Sequence, residues 1–196
     1  MSRRIVTVTK PSRSQAPAHT TRIFGPGQVC LDAQAGDVVL VRHKGLVAAA
    51  IRFFERLRVP GTFAWTNHAC VALTGGPNAT VIQEDARGSV ITPLAELGAV
   101  TFTVTHFPTT IPQSEAGADF LRKTLGTGYG FLTIPADAFN ALTGFEVGFG
   151  WGNRMVCSTQ TVRYLERLGF VPDRSPYAMT PAHLAWSLAV PNPQGA

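Results

Sequence analysis

Residues 67–85 read NHACVALTGGPNATVIQED. Two strand-like runs, 67–73 and 80–85, flank Thr74-Gly75-Gly76-Pro77-Asn78-Ala79, whose Gly, Pro and Asn are the residues of tight turns. The stretch predicts an antiparallel β-hairpin, and the chemistry it carries decides the fold. Side chains alternate along a strand, so His68, Cys70 and Ala72 share one face. With the turn centred on Gly76, His68 falls opposite Glu84 and Cys70 opposite Ile82. Opposed Cβ atoms lie about 4.5–5.5 Å apart, within hydrogen-bonding reach for an imidazole and a carboxylate. A slip of one residue would set Asp85 opposite His68 and turn Glu84 to the other face.

Working outward, Ala35-Gly36-Asp37 reads as a turn and Val38-Val39-Leu40-Val41 as a short buried strand. Residues 46–57 have helical spacing at Val47, Ile51, Phe54 and Leu57, with Arg52, Arg56 and Arg58 on the other side, and Pro60-Gly61 breaks the helix. Downstream, Val90-Ile91 and 100–105 read as strands, Thr103 and Thr105 alternating with Phe102 and Val104 as in a half-buried strand. A helix is expected over 115–125 with Phe120 and Leu121 inward, and 135–142 has helical character. Residues 155–169 form the next helix, with Val162, Leu165 and Leu168 on one side and Gly169 beyond its end. A last helix starts at Pro181, capped by Thr180.

The bulk numbers set limits. At 196 residues, 45% hydrophobic and 15% charged, the chain is expected to fold as one domain with a substantial core. Residues 1–27 read as a flexible basic tail and 28–196 as the domain. The net charge is +5, and no acid precedes Asp32. Three cysteines without a CxxC argue against a disulfide framework or a Cys-rich zinc site. No secretory h-region follows the N-terminal arginines, and the longest apolar run is too short to span a bilayer, so a cytoplasmic protein is expected. Arg3, Arg4, Lys10 and Arg13 are too scattered for a nucleic-acid footprint. Arg52, Arg56 and Arg58 suit a solvated face or peripheral contact with an anionic surface. Gly126-Thr127-Gly128-Tyr129-Gly130 lacks the Lys-Ser/Thr of a phosphate loop.

Cys157 opens the helix 155–169. A thiolate there meets the positive end of the helix dipole, which lowers its pKa. An imidazole can take its proton, and a third polar group can fix the imidazole tautomer. Gly148, Gly150 and Gly152 upstream would let substrate approach the backbone, and N–H groups at the helix start can form an oxyanion hole. Taken singly, His68 suits a half-buried histidine bonded to a carbonyl, Glu84 an exposed carboxylate beside Arg87, and Cys157 a small buried hydrophobe. Together they make a cysteine hydrolase the sharper reading. Cys70 lacks the helix dipole and ranks below Cys157. A zinc site from His68, Cys70 and Cys157 matches no usual spacing.

Gly36 to Val41, Thr66 to Leu73, Glu84 through Thr92-Pro93-Leu94, and Val156-Cys157-Ser158 together resemble the circularly permuted NlpC/P60 (papain-like) cysteine hydrolases. Within them the likeness is to the YiiX/YaeF-like group, which includes phage-encoded members. In that group the histidine strand precedes the cysteine helix, as here, and the resemblance covers roughly residues 36–188. It implies an α+β permuted papain-like fold: a central antiparallel sheet with the nucleophile helix packed against it. It also implies a triad of Cys157 as nucleophile, His68 as general base and Glu84 as orienting residue, with no cofactor or metal. Tyr129, Asn67 and Ser158 are implied in substrate binding. The chain departs from the pattern where Gly130 replaces an Asp, where Asn67 stands in a common Ser position, and where Ser-Thr follows the nucleophile. The implied activity passes through an acyl-enzyme on amide or ester bonds, foremost as a peptidoglycan-peptide amidase. Lipid-directed thioesterases or acyltransferases and a non-catalytic binding module on the same scaffold are the alternatives. The oligomeric state stays open.

Overall fold

A computed structural model describes residues 5–6, 16–85, 88–128 and 156–193. Among these residues seven strands pair antiparallel throughout, in the order β1-β2-β7-β3-β4-β5-β6. They are β1 (Ile5–Val6), β2 (Thr20–Phe24), β3 (Val38–Arg42), β4 (His68–Ala72), β5 (Thr80–Asp85), β6 (Gly88–Pro93) and β7 (Thr101–His106). The α-helices among the described residues are α1 (Leu46–Glu55), α2 (Ile111–Thr124), α3 (Cys157–Arg167) and α4 (Pro181–Ser187). The mixed architecture with a central antiparallel sheet is the one expected.

The sheet is covered on both faces. Val38, Leu40, Ala69, Val71 and Ile82 pack against Leu121 of α2, Val162 and Leu165 of α3, and Leu184 of α4. Phe24, Val39, Val41, Cys70, Val81, Phe102 and Val104 pack on the other side against Cys30 and the 3-10 turn Leu94–Ala99. This explains one difference from the sequence reading. Thr103 and Thr105 are fully buried because their face of β7 is shared with Leu40 and Val38 beneath the helices. The Thr105 hydroxyl pairs with that of Thr21 at 3.0 Å.

A second difference concerns the expected tail. Residues 20–24, placed outside the domain from their composition, form β2 and pair along their whole length with β7. Phe24 stacks on Phe102 with ring centroids 4.9 Å apart. The alternation in Thr20–Phe24 is short, and its pairing partner lies about 80 residues away, so local pattern alone does not reveal it.

α3 starts at Cys157, with Val156 as N-cap and no side-chain cap. It closes at Gly169 in the left-handed region, φ 89°. There Phe170 N–H donates to Leu165 C=O and Gly169 N–H to Glu166 C=O, the paired closure that a residue without a Cβ permits. α4 begins as expected, with Thr180 Oγ1 accepting from His183 N–H at 3.3 Å and Pro181 in the first turn. α2 starts earlier than expected, because Thr110 and Gln113 form a capping box: Thr110 N–H donates to Gln113 Oε1 at 3.0 Å. The helix expected over 135–142 lies outside the described residues.

α1 forms where expected, but its spacing does not mark a buried face. Among the described side chains Ala48 and Glu55 are buried, Ile51 and Phe54 are half-buried, and Leu57 is exposed. Among the described residues no helix is long and apolar enough to cross a membrane.

Candidate active site

The hairpin closes through a six-residue loop, with Leu73 N–H donating to Thr80 C=O at 2.7 Å. Beyond it Ala72 pairs with Val81 and Val71 with Ile82. This is the register one residue away from the expected one, and it corrects the His68–Glu84 pairing. A one-residue shift exchanges faces. Gln83 and Asp85 now share the His68 face, whereas Glu84 lies with Ala69 and Ile82 on the helix side.

His68 is accordingly held by Gln83. Its Nε2 lies 2.8 Å from Gln83 Oε1, and Gln83 Nε2 donates to Thr92 Oγ1 at 2.9 Å. The two bonds lock the amide, so that His68 Nε2 carries the proton and Nδ1 keeps its lone pair. The His43 ring packs beside His68, centroids 5.2 Å apart. Burial, reinforced by His43, pushes the His68 pKa down to about 4, while the Gln83 bond and the Asp85 charge oppose the shift. His68 is a neutral base across the physiological range.

Cys157 sits at the first turn of α3 and is 6% exposed. The β4–β5 ladder runs to Val71↔Ile82 and is not continued to Ala69. The Ala69 N–H faces the Cys157 sulfur, as does that of Ser158, and both favour the thiolate. Burial outweighs them. It pushes the Cys157 pKa up to about 12, and the charges of Glu55 and Glu84 add to the rise. The lowered thiol expected from the helix position is thus reversed by desolvation, which disfavours any charge in a dry site.

Cys157 and His68 make no hydrogen bond to each other. The thiol meets the backbone at Ala69 from the helix side, and the imidazole leaves the neighbouring residue on the opposite face. Catalytic hydrogen bonds are often long in unliganded sites and tighten on binding. Here substrate must bridge the gap, with the ring still held by Gln83, before a proton passes. Cys70 is fully buried in the apolar layer on the other face of the sheet, its pKa driven far up by burial, and no helix N-terminus faces it.

Glu84 has a different setting from the one expected. It is 2% exposed, and neither carboxylate oxygen has a hydrogen-bond partner of ordinary geometry. Burial raises its pKa to about 7, although the neighbouring Ser89 and Thr127 hydroxyls pull it down. Ser89 pairs directly with Glu84 across β5 and β6. Gln160 Nε2, from the first turns of α3, donates to Ser89 Oγ at 2.9 Å and to Thr124 Oγ1 at 2.8 Å. A buried polar cluster thus underlies the nucleophile helix, and Glu84 belongs to it.

Of the residues expected to touch substrate, Asn67 is buried and its Oδ1 accepts from His43 N–H at 2.8 Å, which shapes the turn into α1. Ser158 is buried too, so its backbone N–H is what it offers. Tyr129 lies outside the described residues. Gln83 and Gln160 were missed by sequence reasoning, Gln83 because the register was set one residue off. No group of His, Cys, Asp and Glu among the described residues has the makings of a metal site. No protein-family model matches this chain, and neither does any curated protein.

Proposed function

We propose that the chain is a cysteine hydrolase in which Cys157 is the nucleophile, His68 the general base and Gln83 the orienting residue, on a permuted papain-like scaffold. The observation that carries this reading is the placement of Cys157. A helix-initial thiol abuts the backbone of Ala69, one residue from an imidazole whose tautomer a side-chain amide holds. His68 Nδ1 takes the thiol proton as the sulfur attacks an acyl carbonyl, and the imidazolium then protonates the departing amine or alcohol. Water, deprotonated by the same imidazole, cleaves the thioester and restores the thiol. The N–H groups of the α3 first turn are suited to the developing oxyanion.

The resting state in this reading is a neutral thiol beside a neutral imidazole. The proton moves with attack, as in serine hydrolases, and no preformed ion pair is required.

Peptide amides of peptidoglycan are the substrate class implied by the resemblance. Acyl esters carried by lipids are the second, favoured by the large apolar residues exposed on α1, the helix that follows His43 in the chain. The test is mass spectrometry after incubation with short-chain acyl esters and, separately, purified peptidoglycan. An acyl adduct on Cys157, lost in Cys157→Ser and His68→Ala, supports the reading. A folded wild type that forms no adduct and releases no product from either substrate sinks it in favour of a binding module.

A further inference from the structure

α1 is built the wrong way round for a helix that only packs on a core. Among its described side chains the buried ones are the small Ala48 and the acid Glu55, whose Oε1 accepts from Ala182 N–H at 3.2 Å and pins the helix to α4. Its outward side carries large apolar residues. Leu46 is 91% exposed, Phe53 60%, and Leu57, just past the helix end, 54%. At 100° per residue Leu46, Ala50, Phe53 and Leu57 fall in one narrow stripe. Isolated exposed apolar side chains are ordinary, but a continuous stripe of them on one helix marks an interaction surface.

The charges around the stripe identify what covers it. Between residues 42 and 58 there are five cations, Arg42, Lys44, Arg52, Arg56 and Arg58, and a single acid, the buried Glu55. Arg52 is partly committed, donating to His43 C=O at 2.8 Å. Lys44 and Arg56 are exposed beside the stripe. An apolar ridge bordered by cations matches a bilayer with anionic headgroups: side chains enter the acyl boundary while Lys and Arg meet phosphates. A second copy of the chain would set these cations against their like.

We infer that α1 docks this protein onto an anionic membrane surface, with Leu46, Phe53 and Leu57 inserted and Lys44 and Arg56 at the headgroups. The inference is independent of the Cys157 chemistry. The turn entering α1 carries His43, whose ring packs on His68, so docking would set the candidate site against the bilayer.

The experiment is co-sedimentation of the full chain with phosphatidylcholine vesicles, with and without phosphatidylglycerol, at low salt and at roughly 0.5 M salt, where screening is nearly complete beyond a few ångströms. Wild type is expected to pellet with anionic vesicles at low salt and to be released by salt. Leu46→Ser/Phe53→Ser and Lys44→Glu/Arg56→Glu are each expected to lower the partition coefficient about tenfold or more. All four positions are outside the core, and unchanged melting temperatures establish that the variants fold. Cys157→Ser should bind as wild type does, which separates this inference from the catalytic reading. Failure of wild type to bind, equal binding to neutral vesicles, or undiminished binding by the variants overturns it. So does a dimer in sedimentation velocity that Leu46→Ser/Phe53→Ser dissociates, since the stripe would then belong to a second copy.

Discussion

His68 Nε2 lies 2.8 Å from Gln83 Oε1, and this bond sets which imidazole nitrogen is free to act as a base. Gln83→Ala removes the bond and leaves the ring free to rotate and change tautomer. General-base catalysis contributes about 10²–10⁴-fold, and loss of the orienting amide is expected to forfeit ~10- to 100-fold of kcat/KM. KM should change little, because Gln83 serves the imidazole and not the substrate. An equal loss in Glu84→Gln with no loss in Gln83→Ala would return the orienting role to Glu84.

Burial sets the pH behaviour. With the thiol near 12 and the imidazole near 4, neither is charged at neutral pH. Iodoacetamide should therefore label Cys157 slowly at pH 7 and faster with each unit of alkalinity, without a plateau below pH 9. Turnover should stay level from pH 8 down to pH 5 and fall only as His68 is protonated near pH 4. A plateau in labelling that begins below pH 7 would mean a preformed thiolate–imidazolium pair. Stopped-flow alkylation and a pH–rate profile decide between the two.

Why the sheet was readable and the site only partly so follows from the same hairpin. The six residues 74–79 between the strands place the axis of a symmetric hairpin between Gly76 and Pro77, not on either. Counting inward from Leu73 and Thr80 sets Gln83 on the His68 face. The turn residues, the order of His68 and Cys157, and the start of α3 were all legible, because each depends on local conformation. The raised thiol was not. The helix dipole is a property of the segment, whereas desolvation depends on what packs against α3 from elsewhere in the chain, β4 and α2 among it. Likewise the α1 spacing was visible, but which side faces the body is set by the Glu55–Ala182 contact, 127 residues apart.

Glu84 makes a stability prediction with a definite sign. Its folded pKa of about 7 lies above the ordinary value of 4.5, so the folded state holds its proton more tightly. The stability from this group is whole below pH 4.5 and lost as pH rises through about 7. One pKa unit is about 1.4 kcal/mol, so ionising buried Glu84 costs on the order of 3 to 4 kcal/mol. Glu84→Gln should be more stable than wild type at pH 8, with the difference shrinking toward pH 5. Because the Glu84 charge also raises the Cys157 thiol, the variant should be alkylated faster above pH 7. Urea melts at the two pH values test the first expectation. A constant difference between them would place Glu84 outside the dry site.

Gly117 tests how tightly α2 and α3 are packed. In the interior of a helix, Ala is ordinarily about 0.5–1 kcal/mol better than Gly. At this position a Cβ would stand 2.6 Å from Cε2 of Tyr164, nearer than any real contact permits. The ring has nowhere to retreat: Tyr164 is buried, and its hydroxyl donates to Gly36 C=O at 3.0 Å. Forcing an extra methyl into a filled interior costs about 1–3 kcal/mol, which outweighs the helix-propensity gain. Gly117→Ala should lower the urea midpoint, and the double variant Gly117→Ala/Tyr164→Phe should recover little, since the ring and not the hydroxyl is in the way. Stabilisation by Gly117→Ala, the outcome helix propensity alone predicts, would mean that α2 sits farther from α3 than described here.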